Sequence, residues 1–126
     1  MAVTAAIHLD GVRFAYPTGF ALGGIDLRIE QGEMVAILGP NGSGKTTLLK
    51  LMLGMLHPEV GEVRFKGRVL GAVRRRELAR SIAMVPQEIA LSFTMTTAEV
   101  ALLGRTPYLR RFRGPRLATL LHPVQL

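Results

Sequence analysis

Residues 39 to 46 set Gly39, Pro40, Asn41, Gly42, Ser43, Gly44, Lys45 and Thr46 in a row, with Thr47 next, an order of residue types suited to holding a polyphosphate. The concentrated negative charge of a triphosphate is best met by several backbone N–H groups converging from a tight loop at a helix N-terminus. Gly42 and Gly44 allow φ > 0 and present no Cβ to the phosphates, while Gly39 permits a sharp exit from a strand. Lys45 is then placed to reach β- and γ-phosphate oxygens, and the Thr46 hydroxyl to ligate Mg2+, which keeps several waters beside such a ligand. The overlapping run from Gly42 to Thr47 lacks the third glycine of a dinucleotide fingerprint, which disfavours an NAD site.

Such a loop needs a strand before it and a helix after it. Residues 34–38 (Met-Val-Ala-Ile-Leu) form a short apolar run bounded by Gly32 and Gly39, which predicts a strand buried on both faces, and residues 46–53 predict the helix. Upstream, residues 12–15 and 25–30 read as extended. The second alternates Ile25, Leu27 and Ile29 against Asp26, Arg28 and Glu30, as a half-buried antiparallel strand does. A turn at 16–19 joins the two. Downstream, His57 and Pro58 break the chain, and residues 61–66 alternate Val63 and Phe65 with Glu62, Arg64 and Lys66. Residues 74–81 predict a short basic helix, 82–85 a buried strand ended by Pro86, and 97–103 a helix with Thr96 or Thr97 as N-cap.

At 126 residues and 48% hydrophobic, the chain is long enough for one modest domain or part of one. It has no cysteine, so neither a disulfide framework nor thiol chemistry is available, which suits the cytoplasm. The first residues lack a basic n-region and meet His8 and Asp10 too soon for a secretory signal, and no run approaches the length of a membrane span. Net charge is +7, with −2 in residues 1–63 and +9 in residues 64–126. The arginines gather at Arg74, Arg75 and Arg76 and again at Arg110, Arg111 and Arg113, with little aromatic interleaving for base stacking. They read as a solvated helix face rather than a nucleic-acid surface.

From about Ile7 to about Phe112 the chain resembles the ATP-binding subunit of ABC transporters. The run Gly39 to Thr47 is worded as that family's Walker A loop, with Gly32 and Glu33 fitting before the strand. Tyr16 lies where the family stacks the adenine ring, and Gln87, after Ile82-Ala83-Met84-Val85-Pro86, matches its Q-loop glutamine. The resemblance implies an α/β P-loop NTPase fold of ABC type, incomplete here, with an antiparallel β subdomain, a RecA-like core and the start of a helical subdomain. It implies ATP and Mg2+ as ligands, held by Tyr16 and residues 39–47, with Thr46 and Gln87 at the metal and Gln87 touching the attacking water. It further implies a homodimer, peripheral on the cytoplasmic face of the inner membrane, driving a permease through the Q-loop and helical region. Residues 99–108 (Glu-Val-Ala-Leu-Leu-Gly-Arg-Thr-Pro-Tyr) are similar to importers of iron-siderophore, haem or cobalamin ligands.

The family continues with a signature loop, a Walker B strand ending in Asp-Glu, and a switch histidine. None of these is present: Leu91-Ser92 is followed by Phe93, and His8, His57 and His122 lie in the wrong places. Residues 114–126 carry no acidic side chain where the family enters a charged helical subdomain. The expected division is therefore 1–113 as the N-terminal part of a nucleotide-binding domain and 114–126 as a divergent tail left by truncation or a frame change. Binding is better supported than turnover on this reading. The alternatives are a non-catalytic nucleotide-binding or regulatory P-loop protein and a basic nucleic-acid-associated one.

Overall fold

The computed structural model describes residues 5–87 and 95–108. The second arginine cluster and the 114–126 tail lie outside them. The chain divides into two units, Met1–Arg74 and Arg75–Leu126.

The first unit is built on an antiparallel sheet. Strands β1 (Ile7–Ala15), β2 (Ala21–Ile29), β3 (Val60–Phe65) and β4 (Arg68–Val69) lie in the order β2-β1-β3-β4. The predicted 12–15 strand begins five residues earlier because β1 is paired on both sides: His8 faces Arg28 on β2 and Arg64 on β3. Leu9 is fully buried in the core with Val63 and Phe65, and an irregularity in the pairing after Leu9 lets Val12, three residues on, be fully buried as well, which strict alternation would not allow. Each such side chain contributes about 1.5–3 kcal/mol over its exposed state. Outward, Arg28 and Arg64 each hold a carboxylate two residues away in the chain, Glu30 after Arg28 and Glu62 before Arg64.

Pairing slips between Leu9 and Val12 on β1, where the Gly11 N–H donates to Asp26 Oδ1 at 2.7 Å instead of a ladder carbonyl. Helix α1 (Lys45–Met52) buries Thr47, Leu51 and Met52 on one face. Its last carbonyls are taken by the N–H groups of Leu53, Gly54 and Met55 as the chain turns away.

The 34–38 run departs from its expectation. It belongs to no sheet, and Met34 and Leu38 are 98% and 89% exposed. An apolar run becomes a buried strand only when ladder partners satisfy its N–H and C=O groups and other elements cover both faces, and β1 to β4 supply neither here. Such a run favours association. The protein is expected to self-associate at micromolar concentration and to bind an apolar-surface dye, and a Met34→Ser, Leu38→Ser double variant to do less of both. A monodisperse wild type in light scattering would contradict this.

In the second unit, helix α2 (Arg75–Ser81) has no buried residue. Its arginines are nonetheless not simply solvated: Arg76 Nε and Arg80 Nε both donate to the Pro107 carbonyl, at 2.6 and 3.0 Å, and the Arg80 guanidinium lies over the Tyr108 ring. Residues 82–85, predicted as a buried strand, also pair with nothing among the described residues, and Val85 is 93% exposed. The same want of a ladder partner explains it. Helix α3 (Thr97–Leu103) starts from Thr96, one of the two expected caps, through a reciprocal capping box. The Glu99 N–H donates to Thr96 Oγ1, and Thr96 N–H and hydroxyl both donate to Glu99 Oε2 at 2.8 Å. Those bonds, the backbone one foremost, hold the Glu99 carboxyl below its ordinary value.

Candidate functional site

Residues 39–43 are exposed, and the loop closes with the Ser43 N–H on the Pro40 carbonyl at 3.3 Å. It is drawn tight: a Cβ on Gly39 would lie 2.7 Å from Ser43 Oγ. Gly44 then caps α1 in the left-handed region, φ 93° and ψ 10°, a conformation that L-residues other than glycine avoid. Gly42 is likewise at φ 81°.

The start of α1 is electrostatically poised for an anion. The first N–H groups of a helix have no internal partner, the dipole makes that end positive, and no acidic residue occupies the first turn. Lys45, a cation at the first helical position, is disfavoured there for helix stability alone. Its Nζ instead reaches back across the loop and donates to the Gly39 and Pro40 carbonyls, 2.8 Å each. Two of its three donors are thus used to clasp the loop, leaving one for a ligand. Thr46 is exposed, with its hydroxyl available, whereas Thr47 turns into the core.

Tyr16 sits in the turn between β1 and β2, which closes by Tyr16 N–H to the Phe20 carbonyl at 2.8 Å and Gly19 N–H to the Tyr16 carbonyl at 2.9 Å. Phe14 meets the Tyr16 ring edge-on at 4.8 Å between centroids, and Phe20 lies 6.3 Å away. Tyr16 is half-buried in this small aromatic cluster. The turn is joined to the loop: a Cβ on Gly44 would lie 2.6 Å from Leu22 Cδ2 and 2.9 Å from Phe20 Cζ. Phe20 and Leu22 were not among the residues singled out from the sequence. The available hint was an aromatic residue four positions after Tyr16, at the far end of the same turn. Gln87 belongs to the second unit, where it is exposed in a bend.

A glycine-rich loop running into a helix, clasped by the helix's own first lysine beside an antiparallel sheet, defines a P-loop protein. A family model described as ABC transporter matches residues 22–123, and the chain belongs to that family. It is 42% identical over 109 residues to the hemin import ATP-binding protein HmuV of Myxococcus xanthus, covering 86% of this chain and 41% of that protein. Against the protein of the same name from Rhodopseudomonas palustris it is 41% identical over 118 residues, covering 89% and 45%. The chain thus spans less than half the length of these relatives. Among solved structures, a bacterial Atm1-family ABC exporter with ATP bound superimposes with a TM-score of 0.73 at 28% identity, over 94% of this chain and 20% of that one. Among the described residues no helix is long and apolar enough to cross a membrane.

Proposed function

We propose that this chain is the N-terminal portion of the ATP-binding subunit of an ABC importer, that it binds MgATP through residues 39–47 and Tyr16, and that the assembled transporter imports haem. The observation that carries the binding is the loop itself: left-handed Gly42 and Gly44, the unopposed α1 N-terminus, and a lysine already held across the loop mouth. The haem assignment, within the wider group of iron-siderophore, haem and cobalamin importers, is supported by the likeness to the two hemin import ATP-binding proteins. Lys45 and the loop N–H groups would hold the β- and γ-phosphates. The described residues contain no cluster of His, Asp or Glu able to hold a metal alone; the Thr46 hydroxyl, and by the family resemblance Gln87, would hold Mg2+ together with the bound nucleotide. Mg2+ supplies neutralisation of phosphate charge. A Walker B glutamate and a signature loop, which position water and cover the transition state in this family, are not among the 126 residues, so the chain by itself is read as binding rather than turning over nucleotide. The permease contact, through the Q-loop and helical region at the cytoplasmic face of the membrane, and homodimer formation belong to the same proposal.

Two measurements test it. In calorimetry with MgATP and with inorganic tripolyphosphate, Tyr16→Ala is expected to weaken ATP about tenfold and to leave tripolyphosphate within about twofold, since stacking involves only the base. Equal losses for both ligands would make Tyr16 a packing residue. A hybrid subunit carrying residues 1–113 of this chain in place of the matching part of a hemin import ATP-binding protein should restore growth on haem iron. A folded, membrane-bound hybrid that does not would overturn the import assignment.

A further inference from the structure

Gly44, left-handed at the N-cap of α1, fixes the direction in which the N–H groups of Lys45 and Thr46 point, and as a glycine it brings no side chain of its own to cap the helix. What occupies the space beside it is apolar: Leu22 Cδ2 and the tip of the Phe20 ring fill the volume where a Cβ would stand. The two supports differ in freedom. Leu22 lies within β2, paired with Phe14 on β1, whereas Phe20 precedes the strand and belongs to the turn that carries Tyr16. That turn is closed by two backbone hydrogen bonds, and the Tyr16 and Phe20 rings neighbour one another across it. Any shift of Tyr16 on taking up a planar base therefore reaches Gly44 through one closed turn and one ring contact.

We propose that Phe20 is a positioning residue that couples the base subsite to the phosphate loop, setting the orientation of the loop's N–H donors through its contact with Gly44. The inference rests on the reading of Tyr16 and residues 39–46 as base and phosphate subsites. Phe20 is assigned to neither subsite; its neighbours are Tyr16 on one side and Gly44 on the other. Its ring end lies against the backbone of the phosphate loop, so changing Phe20 alters phosphate binding directly, whereas Tyr16 reaches Gly44 only through the turn and Phe20.

The test uses the full chain, inorganic tripolyphosphate and adenosine as separate probes, and two variants. Phe20→Ala removes the contact, and Phe20→Tyr keeps the ring but adds a hydroxyl at the Cζ that faces Gly44. Both are expected to lower tripolyphosphate affinity about tenfold, against about twofold or less for Tyr16→Ala, with unchanged far-UV circular dichroism. Adenosine, which carries no phosphate, should shift the Gly44 and Lys45 amide resonances in the wild type and not in Phe20→Ala, a readout that a purely structural role would not produce. Should Phe20→Ala lose its fold, Phe20→Tyr decides alone. Wild-type tripolyphosphate affinity in the folded variants, or equal adenosine-induced shifts with and without Phe20, would overturn the coupling while leaving the subsites in place. A wild-type chain that binds neither probe would remove the subsite reading and the coupling with it.

Discussion

Replacing Lys45 by alanine is expected to lower MgATP affinity about 100-fold, the largest effect of any single substitution in the site. Two losses combine. A charge-assisted contact to a phosphate oxygen is worth about 1.5–3 kcal/mol by itself. The same ammonium donates to the Gly39 and Pro40 carbonyls, so its removal also opens the loop that aims the N–H groups. The helix should not suffer, because Lys45 is a cation at the positive end of α1 and alanine is a better helix former there. Calorimetric titration of a variant with native circular dichroism therefore separates site from fold. Equal affinity for wild type and variant would show that the phosphates are not held at this loop. Arginine is not expected to rescue, since a planar guanidinium does not reproduce the compact three-donor clasp.

The largest stability effect is expected at Gly61, where β3 crosses the bulged part of β1. Gly61 has φ 78°, and a Cβ there would run into the Asp10 carbonyl oxygen and lie 2.5 Å from that of Gly11. Both obstacles are backbone atoms of a central strand, which no rotamer change can move aside. Gly61→Ala combines left-handed strain with overpacking and is expected to cost about 3 kcal/mol or more, a large share of the stability of a small domain. Chemical denaturation would show it as a lower midpoint at unchanged slope. An unaltered midpoint would mean that β1 and β3 do not approach as closely at this crossing as described.

The parts of this protein legible in its sequence are those whose cause is local. Residues 39–46 announce a phosphate loop because each type is dictated by the chemistry at that position, and α1 follows from them. Leu27, Ile29, Val63 and Phe65 alternate with charged neighbours because a sheet with one covered face imposes period two, and Thr96 with Glu99 spells its capping box within four residues. The runs 34–38 and 82–85 depart from their sequence pattern for a complementary reason. Their composition states a preference for burial, but a strand exists only with a ladder partner, and no five-residue run contains its own partner. β1 was underestimated likewise, since His8 and Asp10 interrupt its apolar pattern while two neighbours keep it extended.

What the sequence by itself determined is thus the P-loop wording of residues 39–46, the helix behind it and the alternation of the sheet. Only the tertiary structure decided what stands behind Gly44. Phe20 and Leu22 lie more than twenty residues before that glycine, and no periodicity connects them to it. The sheet brings them there because β1 and β2 are held in a register shifted at Gly11 and Asp26, and that register sets where the 16–20 turn ends. Residue types fix which atoms can hold a phosphate, and packing between distant segments fixes the direction in which those atoms point.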